Sequence, residues 1–465
     1  MWGSMEYQEF LRAKIKTIKS TGFDIDKEKL NKNAFDWQKD IVKWALKKGK
    51  AALFEGCGLG KTIQQLIWAD EIDKKTGGKV LILAPLAVSS QTSQEGEKFG
   101  ITVNVCRSQK EVKDGITITN YEMLSHFEPS EFVGVVLDES SILKSFSGKM
   151  RTEIIESFKN TQYRLSCTAT PSPNDYEELG NQAEFLGIMT RLEMLSMYFV
   201  HDGGETSKWR IKGHAQDKFW EWLSSWAVVI DNPESLGYFD KRYTLPELHT
   251  IQKSYEEDMY YVGAQTSLMP EVSLSMTERR EARRHTMEER VKIAAEIVNA
   301  SNEQFVVWCD LNAESELLKK SIYDCVEVKG SDKPEYKTKA AIDFVQGNVK
   351  AIVTKPSIFG WGLNWQHCKN MVFVGLSDSF EQYYQAVRRC WRFGQQKEVS
   401  VYVVISEREG AVLKNIQRKE QQAEEMMIAM VKHTKNILLD DIKSTIRETN
   451  QYKPIGKIQI PVFMR

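Results

Sequence analysis

Three glycines alternate in the stretch LFEGCGLGKTIQQLIWAD, Leu53 to Asp70: Gly56, Gly58 and Gly60, followed at once by Lys61 and Thr62. Backbone N–H groups of such a loop, backed by a helix N-terminus, form a cradle for phosphate oxygens. Lys61 would reach the β- and γ-phosphates, and Thr62 would ligate Mg²⁺. The strict spacing also asks for glycine where Glu55 stands, so the stretch alone favours a nucleotide site only slightly over a glycine-rich turn without one. A second chemical pair ends the apolar run VGVVLDESS. There Asp138 would hold the metal shell and Glu139 would polarise an attacking water. Its plainer reading is a strand that ends in a solvated acidic turn. A third group, Arg388, Arg389 and Arg392, lies in QAVRRCWRFGQQ. Arg389 and Arg392, three apart on a predicted helix, would share a face and could reach a γ-phosphate from the opposite wall of a cleft. Taken singly, that stretch reads as a basic surface helix.

The order of elements around these groups weighs for the chemistry. DWQKDIVKWALKK has helical periodicity, AALFE is a short apolar strand, and KVLILAPLAV, GITITNYEML, FVGVVLDES and YRLSCTATP add four more. Strands that alternate with helical stretches predict parallel βαβ units in a doubly wound sheet. From about 187 to 275 the alternation stops. TRLEMLSMYFV and QDKFWEWLSSWAVVI read as helices, with HDGGETSKWRIKG as a loop between them. A long helix is predicted over MTERREARRHTMEERVKIAAEIV. Five more buried strands then follow: QFVVWCD, CVEVKG, VKAIVTKP, NMVFVGL and VSVYVVIS. The predicted fold is therefore α/β, with two doubly wound parallel-sheet lobes and a mostly helical insertion between them. The expected segments are an N-terminal extension (1–32), lobe one (33–187), a helical region (188–285), lobe two (286–410) and a C-terminal helical extension (411–465).

Composition narrows the options. The 465 residues carry a net charge of −1, so a nucleic-acid site would have to be a local basic surface rather than a global field. The seven cysteines are scattered and form no C-x-x-C pair, which argues against a zinc ribbon or a disulfide framework and for a reducing compartment. No apolar run is long enough to span a membrane. Trp209, Trp220, Trp222 and Trp226 could stack on bases. Periodicity favours Phe219, Trp220, Leu223 and Trp226 as a buried helix face instead. KWRIKG, with Lys208, Trp209 and Arg210, is the better candidate for nucleic-acid contact.

Seven motifs in order, with one segment upstream of them, carry a resemblance to the two-lobe superfamily-two helicases, and within them to the Swi/Snf-like DNA translocases. EGCGLGKT resembles the D-E-x-G-L-G-K-T cradle, which accommodates Glu55. FDWQKDIVKW resembles the adenine-sensing segment, and LILAPLAVSSQTSQEGEKFG and ITNYEML resemble nucleic-acid-facing motifs. LDESSILKS resembles motif II and YRLSCTATPSPNDYEELGNQAEFLG motif III. VTKPSIFGWGLNWQHCKNMVFV and YYQAVRRCWRFGQ resemble motifs V and VI. The wording GLGKT, EELGNQAEFL and RRCWRFGQ is most similar to compact phage and prophage versions.

The resemblance implies RecA-like lobes and ATP with Mg²⁺ as cofactors. It places Gln38, Gly58, Leu59, Gly60, Lys61, Thr62, Gly362 and Gln385 around the nucleotide, with Thr62 and Asp138 on the metal. Lys61, Asp138, Glu139, Arg389 and Arg392 would be catalytic. The nucleic-acid path would touch Ser89, Thr119, Asn120, Lys144 and Thr170 on lobe one. On lobe two it would touch Ser331, Thr354, Lys355 and Ser357. Small hydroxyls and backbone donors suit a stepping motor because phosphate contacts carry no sequence information. One departure stands out: Ser141 occupies the position of the motif II histidine that couples hydrolysis to nucleic-acid binding. The implied protein is an ATP-dependent DNA motor acting on duplex, forked or branched DNA, monomeric and in the (host) cytoplasm, with phage replication or recombination proteins as partners. A strand-separating helicase and an ATP-switched binding protein are the alternatives.

Overall fold

In the computed structural model, residues 20–85, 88–144, 148–172, 175–202, 205–255, 260–262, 265–267, 286–359, 364–377, 379–406 and 410–442 are described. The strands, in chain order, are β1 (Lys50–Glu55), β2 (Lys79–Ala84), β3 (Val103–Val105), β4 (Ile116–Asn120), β5 (Phe132–Asp138), β6 (Tyr163–Thr168), β7 (Phe199–Asp202), β8 (Glu205–Ile211), β9 (Ala227–Ile230), β10 (Leu248–Tyr255), β11 (Tyr260–Val262), β12 (Gln265–Ser267), β13 (Phe305–Cys309), β14 (Cys325–Glu327), β15 (Ala351–Thr354), β16 (Asn370–Val374) and β17 (Val399–Ser406). Two sheets hold most of them. The first runs β3-β4-β2-β5-β6-β1-β9 and the second β10-β17-β16-β13-β15-β14. Every pairing in both is parallel. Their central strands are continuous apolar runs because helices cover both faces. Lobe one accordingly has a core on each side of its sheet, one around Trp68 and Leu66, the other around Phe54 and Trp226. These are the two parallel-sheet α/β lobes expected.

The helices that matter below are α1 (Asp36–Lys48), α2 (Lys61–Thr76), α3 (Ser89–Lys98), α4 (Gln216–Ser224), α5 (Met287–Asn299), α6 (Asn312–Ser321), α7 (Phe380–Val387) and α8 (Gly410–Ile442). Between α5 and α6 lies a wholly buried ion pair, Arg290 with Glu314. α8 is 33 residues long and serves both lobes. Val412, Leu413 and Ile416 join the lobe-two core, while Met430, Leu438 and Ile442 join the two cores of lobe one. Asp441 ties its far end to Lys48 (2.8 Å) and accepts from the Trp44 indole (2.8 Å).

The stretch between the lobes differs from the helical insertion expected. QDKFWEWLSSWAVVI is not one helix: α4 ends at Ser224 and the last four residues form β9, paired to β1 with Leu53 opposite Val228. Val228, Val229 and Ile230 are β-branched and fully buried, so the sheet edge captures them. HDGGETSKWRIKG is not a loop but the hairpin β7–β8, with His201 opposite Trp209. β10 pairs with β17 over its full length, from Leu248–Val399 to Tyr255–Ser406. Lobe one is thus completed at Ile230, past the expected boundary at 187, and lobe two opens at Leu248, before the expected 286. The polar edge strand LHTIQKSY lacks the apolar run that marks an interior strand, which hid it from the sequence reading. Of the helix predicted over 276–298, the part from Met287 onward is α5. Residues 276–285 and the C-terminal GKIQIPVF lie outside the described residues. No described helix is long and apolar enough to cross a membrane.

Candidate active site between the lobes

The glycine loop leaves the C-terminal end of β1 and turns into α2, as a phosphate cradle must. Gly58 (φ +87°) and Gly60 (φ +76°) are both in the left-handed region that glycine alone enters freely. Space is also short there. A Cβ on Gly60 would lie 2.5 Å from the Gln38 amide nitrogen, and one on Gly58 would lie 3.0 Å from the Phe393 backbone nitrogen. The second contact shows the arginine turn of lobe two seated directly on the cradle. Leu59 is buried, and its carbonyl accepts from Gln38 Nε2 (2.9 Å), while Gln38 Oε1 accepts from the Phe35 backbone (3.0 Å). Lys61 Nζ donates to the carbonyls of Glu55 (2.9 Å) and Gly56 (3.2 Å), so its ammonium is held inside the loop. Thr62, half-buried, is the second residue of α2.

β5 ends one strand away from β6, itself beside β1, which brings the acidic pair to the same rim. Asp138 Oδ1 accepts from Gln65 Nε2 (2.7 Å), and its carbonyl accepts from the Tyr121 hydroxyl (2.7 Å). Burial raises the Asp138 carboxyl, with the Gln65 bond and Lys61 opposing. Glu139 sits at φ +57°, a conformation that costs a non-glycine residue and that clusters at functional sites. Burial pushes its carboxyl up to about 7. Asp138 and Glu381 push the same way, and Lys61 and Arg389 pull against them. Thr168 at the end of β6 directs its hydroxyl at Glu139 Oε2 (3.5 Å). Glu55 is fully buried, accepts from Gln64 Nε2 (2.8 Å), and is likewise pushed up to about 7 by burial.

Across the cleft, Arg389 and Arg392 are not on the helix predicted for them. α7 ends at Val387, and both arginines lie in the turns that follow. Their shared direction comes from that turn rather than from helical spacing. Arg389 is buried, donates from Nε to the Gln385 carbonyl (3.0 Å) and from a terminal nitrogen to Gln385 Oε1 (3.1 Å). Burial lowers it, and pushes Arg392, with Arg389 beside it, down to about 10. Arg388 faces elsewhere, stacked over Trp391 at 4.3 Å. Gln385 Nε2 is buried with no hydrogen-bond partner among the described residues. An orphaned donor, two cradle glycines and an acid pair fit a Mg²⁺-nucleotide. Gly362 lies outside the described residues.

Sequence reasoning missed the supports of this site. Asn181 donates to the Leu143 carbonyl (2.8 Å) and Gln182 to the Ser140 carbonyl (2.9 Å), which holds the 3-10 turn Ser140–Lys144 behind the acid pair. Their signal was in EELGNQAEFL, two amides on a short apolar helix. Glu381, which bonds Ser141 across the cleft (2.6 Å), carried no signal at all.

The candidate nucleic-acid residues follow the C-terminal ends of strands β2, β4, β5, β6, β14 and β15, the edge where open α/β sheets bind ligands. They differ in availability. Ser331 and Ser357 are exposed, and Lys355 is half-buried. Lys144 is paired with Glu381. Asn120 uses its side chain to cap the next turn at Met123 (3.1 Å). Ser89 and Thr170 are buried with hydroxyls that have no partner among the described residues. Two expectations are corrected: Thr119 is buried inside lobe one, and Thr354 is wholly buried with its hydroxyl bonded to the Val328 carbonyl (3.1 Å). On the hairpin, Arg210 is exposed and Trp209 packs on His201 with ring centres 3.7 Å apart. The side chain of Lys208 lies outside the described residues. Trp220 and Trp226 are buried, as periodicity favoured, and Trp222, which lay outside the expected face, is buried too.

The SNF2-related domain matches residues 37–193, and the helicase conserved C-terminal domain matches residues 289–394. Over both lobes the chain is thus similar to the Swi/Snf-like helicases of superfamily two. Helicase SWR1 of Eremothecium gossypii is 27% identical over 44% of this chain and 14% of its own length. The SWI/SNF chromatin-remodeling complex subunit snf22 of Schizosaccharomyces pombe is 25% identical over 37% of this chain and 12% of its own. The chain therefore spans about a seventh, 14%, of the first of these curated relatives. A structure of S. cerevisiae Dbp5 bound to RNA and ADP BeF3 shares the fold, with a TM-score of 0.53 at 11% identity over 85% of this chain and 93% of that one. The SNF2-related match takes in the cradle and the acid pair, and the helicase C-terminal match takes in Arg389 and Arg392, so the two matched domains supply the two walls of the cleft.

Proposed function

We propose that this protein is an ATP-driven DNA motor that tracks on duplex or branched DNA. The observation that carries this reading is the seating of the Arg389–Arg392 turn on the Gly58 cradle, with Glu139 between them electrostatically. Lys61 and the cradle amides would bind the phosphates, with Thr62 and Asp138 as the residues that would hold Mg²⁺. The ion, when bound, supplies charge neutralisation at the transferring phosphoryl group. Glu139 would orient the water, and Arg389 and Arg392 would stabilise charge that develops in the transition state. Because these groups come from two lobes, only the closed cleft is complete, so turnover is gated by closure. Alternating grip along the strand-end rim would convert closure into movement. The sequence wording similar to compact phage forms favours fork remodelling or branch migration in replication or recombination, in the host cytoplasm, by a monomer.

The test is ATP turnover with no nucleic acid, single-stranded DNA, blunt duplex, forked DNA, four-way DNA and matched RNA, alongside Glu139→Gln. Strong stimulation by duplex or branched DNA, lost in the variant, is expected. Stimulation by single strands alone would replace the reading with a strand-separating helicase. No stimulation by any of them would sink the motor.

A further inference from the structure

We propose that Glu381 is a positioning residue that restrains the arginine turn of lobe two until nucleic acid withdraws Lys144 from it. This rests on the reading of Lys144 as a phosphate contact. Glu381 lies in the first turn of α7 and is only 8% exposed. It reaches across the cleft to the 3-10 turn behind the acid pair. There Ser141 donates to one carboxylate oxygen (2.6 Å) and Lys144 pairs with the other. Ser141 is itself buried, whereas the Lys144 side chain keeps 39% of its surface open to water. One leg of the latch is thus sealed and the other is within reach of a ligand.

The same helix leads to the chemistry. Gln385 lies four residues after Glu381, and Arg389 four residues after Gln385, bonded back to it twice. A load on Glu381 is therefore passed along α7 to Gln385 and, through the two bonds to Gln385, to the guanidinium in the turn that follows. A buried carboxylate holds its place only while it is paired and hydrogen-bonded. When a phosphate takes Lys144, Glu381 keeps the Ser141 bond alone, and the balance that fixes α7 against lobe one changes. The serine at the histidine position is then not a lost coupling but a different one. The histidine would offer a ring; here a hydroxyl and an ammonium divide one carboxylate, and only the ammonium answers to nucleic acid.

The experiment uses the full chain and reads ATP turnover without and with duplex DNA, the ATP KM, and DNA affinity against salt, for Glu381→Ala, Glu381→Gln and Lys144→Ala. Glu381→Ala should raise nucleic-acid-free turnover and cut the stimulation ratio about fivefold, with the ATP KM within about twofold. Glu381→Gln keeps an acceptor for Ser141 and should shift both in the same direction by less, which covers the case in which the alanine variant fails to fold. Lys144→Ala should raise the free turnover and also flatten the salt dependence of DNA binding. A purely structural role would lower both turnovers together. That result, or an unchanged ratio in a folded Glu381→Gln protein, overturns the proposal while leaving the motor reading intact. A wild-type chain that no nucleic acid stimulates overturns both, and a Lys144→Ala protein with unchanged salt dependence removes the phosphate contact on which the latch depends.

Discussion

Around the cradle, Gln64 bonds Glu55, Gln65 bonds Asp138, Gln385 bonds Arg389, and every one of these groups is buried. Along the strand ends of lobe two, Ser331 and Ser357 stand in water and Lys355 is half-exposed. The two regions serve different demands. Phosphoryl transfer gains from charges fixed before the reaction, so the protein accepts raised carboxyls and a left-handed Glu139 to hold them. A grip that must release and re-form on a uniform backbone gains from weak, hydrated contacts.

The sharpest way to break this contrast is at its preorganised end. Glu139→Gln should cut turnover about a thousandfold and leave ATP binding within about threefold, and Arg389→Ala should cost a similar factor. Measured turnover and nucleotide affinity check both. A loss below tenfold for Arg389→Ala would place the turn outside the transition state. The tryptophans test the contrast next. Trp226 is fully buried with its ring edge-on to Phe54 at 5.9 Å, so Trp226→Ala should cost about 3–5 kcal/mol in urea unfolding. Trp209→Ala should leave stability nearly unchanged and weaken DNA binding, since Trp209 is half-buried on a hairpin.

Glu55 gives a pH signature. Its carboxyl is about 7 in the folded chain against an ordinary 4.5, so the folded state holds the proton longer than the unfolded one. Stability from this group is therefore lost as pH rises from the ordinary value through about 7. Glu55→Gln should show no gain near pH 4 and a gain of up to about 3 kcal/mol above pH 8, read by denaturation at each pH. The smallest effects belong to the rim. Ser331→Ala and Ser357→Ala should each change DNA affinity less than about threefold, and Lys355→Ala should reduce the salt slope by about one. A tenfold loss at either serine would mean the grip is as preorganised as the cradle.

Both lobes were legible because their interior strands are continuous apolar runs and because cradle, acid pair and arginines occur in a fixed order. What escaped was context. β9 reads as the tail of a helix, since four apolar residues fit either period until β1 offers them a partner. β10 fell within the stretch where no strand alternation was expected, because an edge strand has only one neighbour to satisfy. The helical direction assigned to Arg389 and Arg392 failed because nothing in QAVRRCW announces that α7 stops at Val387. Glu381 was invisible for a different reason: its significance depends on Ser141 and Lys144, some 240 and 237 residues away in the chain.

The helix α8 has a mechanical consequence. At 1.5 Å per residue its 33 residues form a bar of about 50 Å, anchored in the lobe-two core at Val412 and Ile416 and in lobe one at Leu438 and Asp441. Two plates joined by a rigid strut cannot drift apart freely. They can pivot about its ends, or they must bend it. Any swing of the lobes is then confined to a narrow arc, and the angle of that swing, multiplied by the distance from pivot to rim, sets how far the rim travels in one cycle.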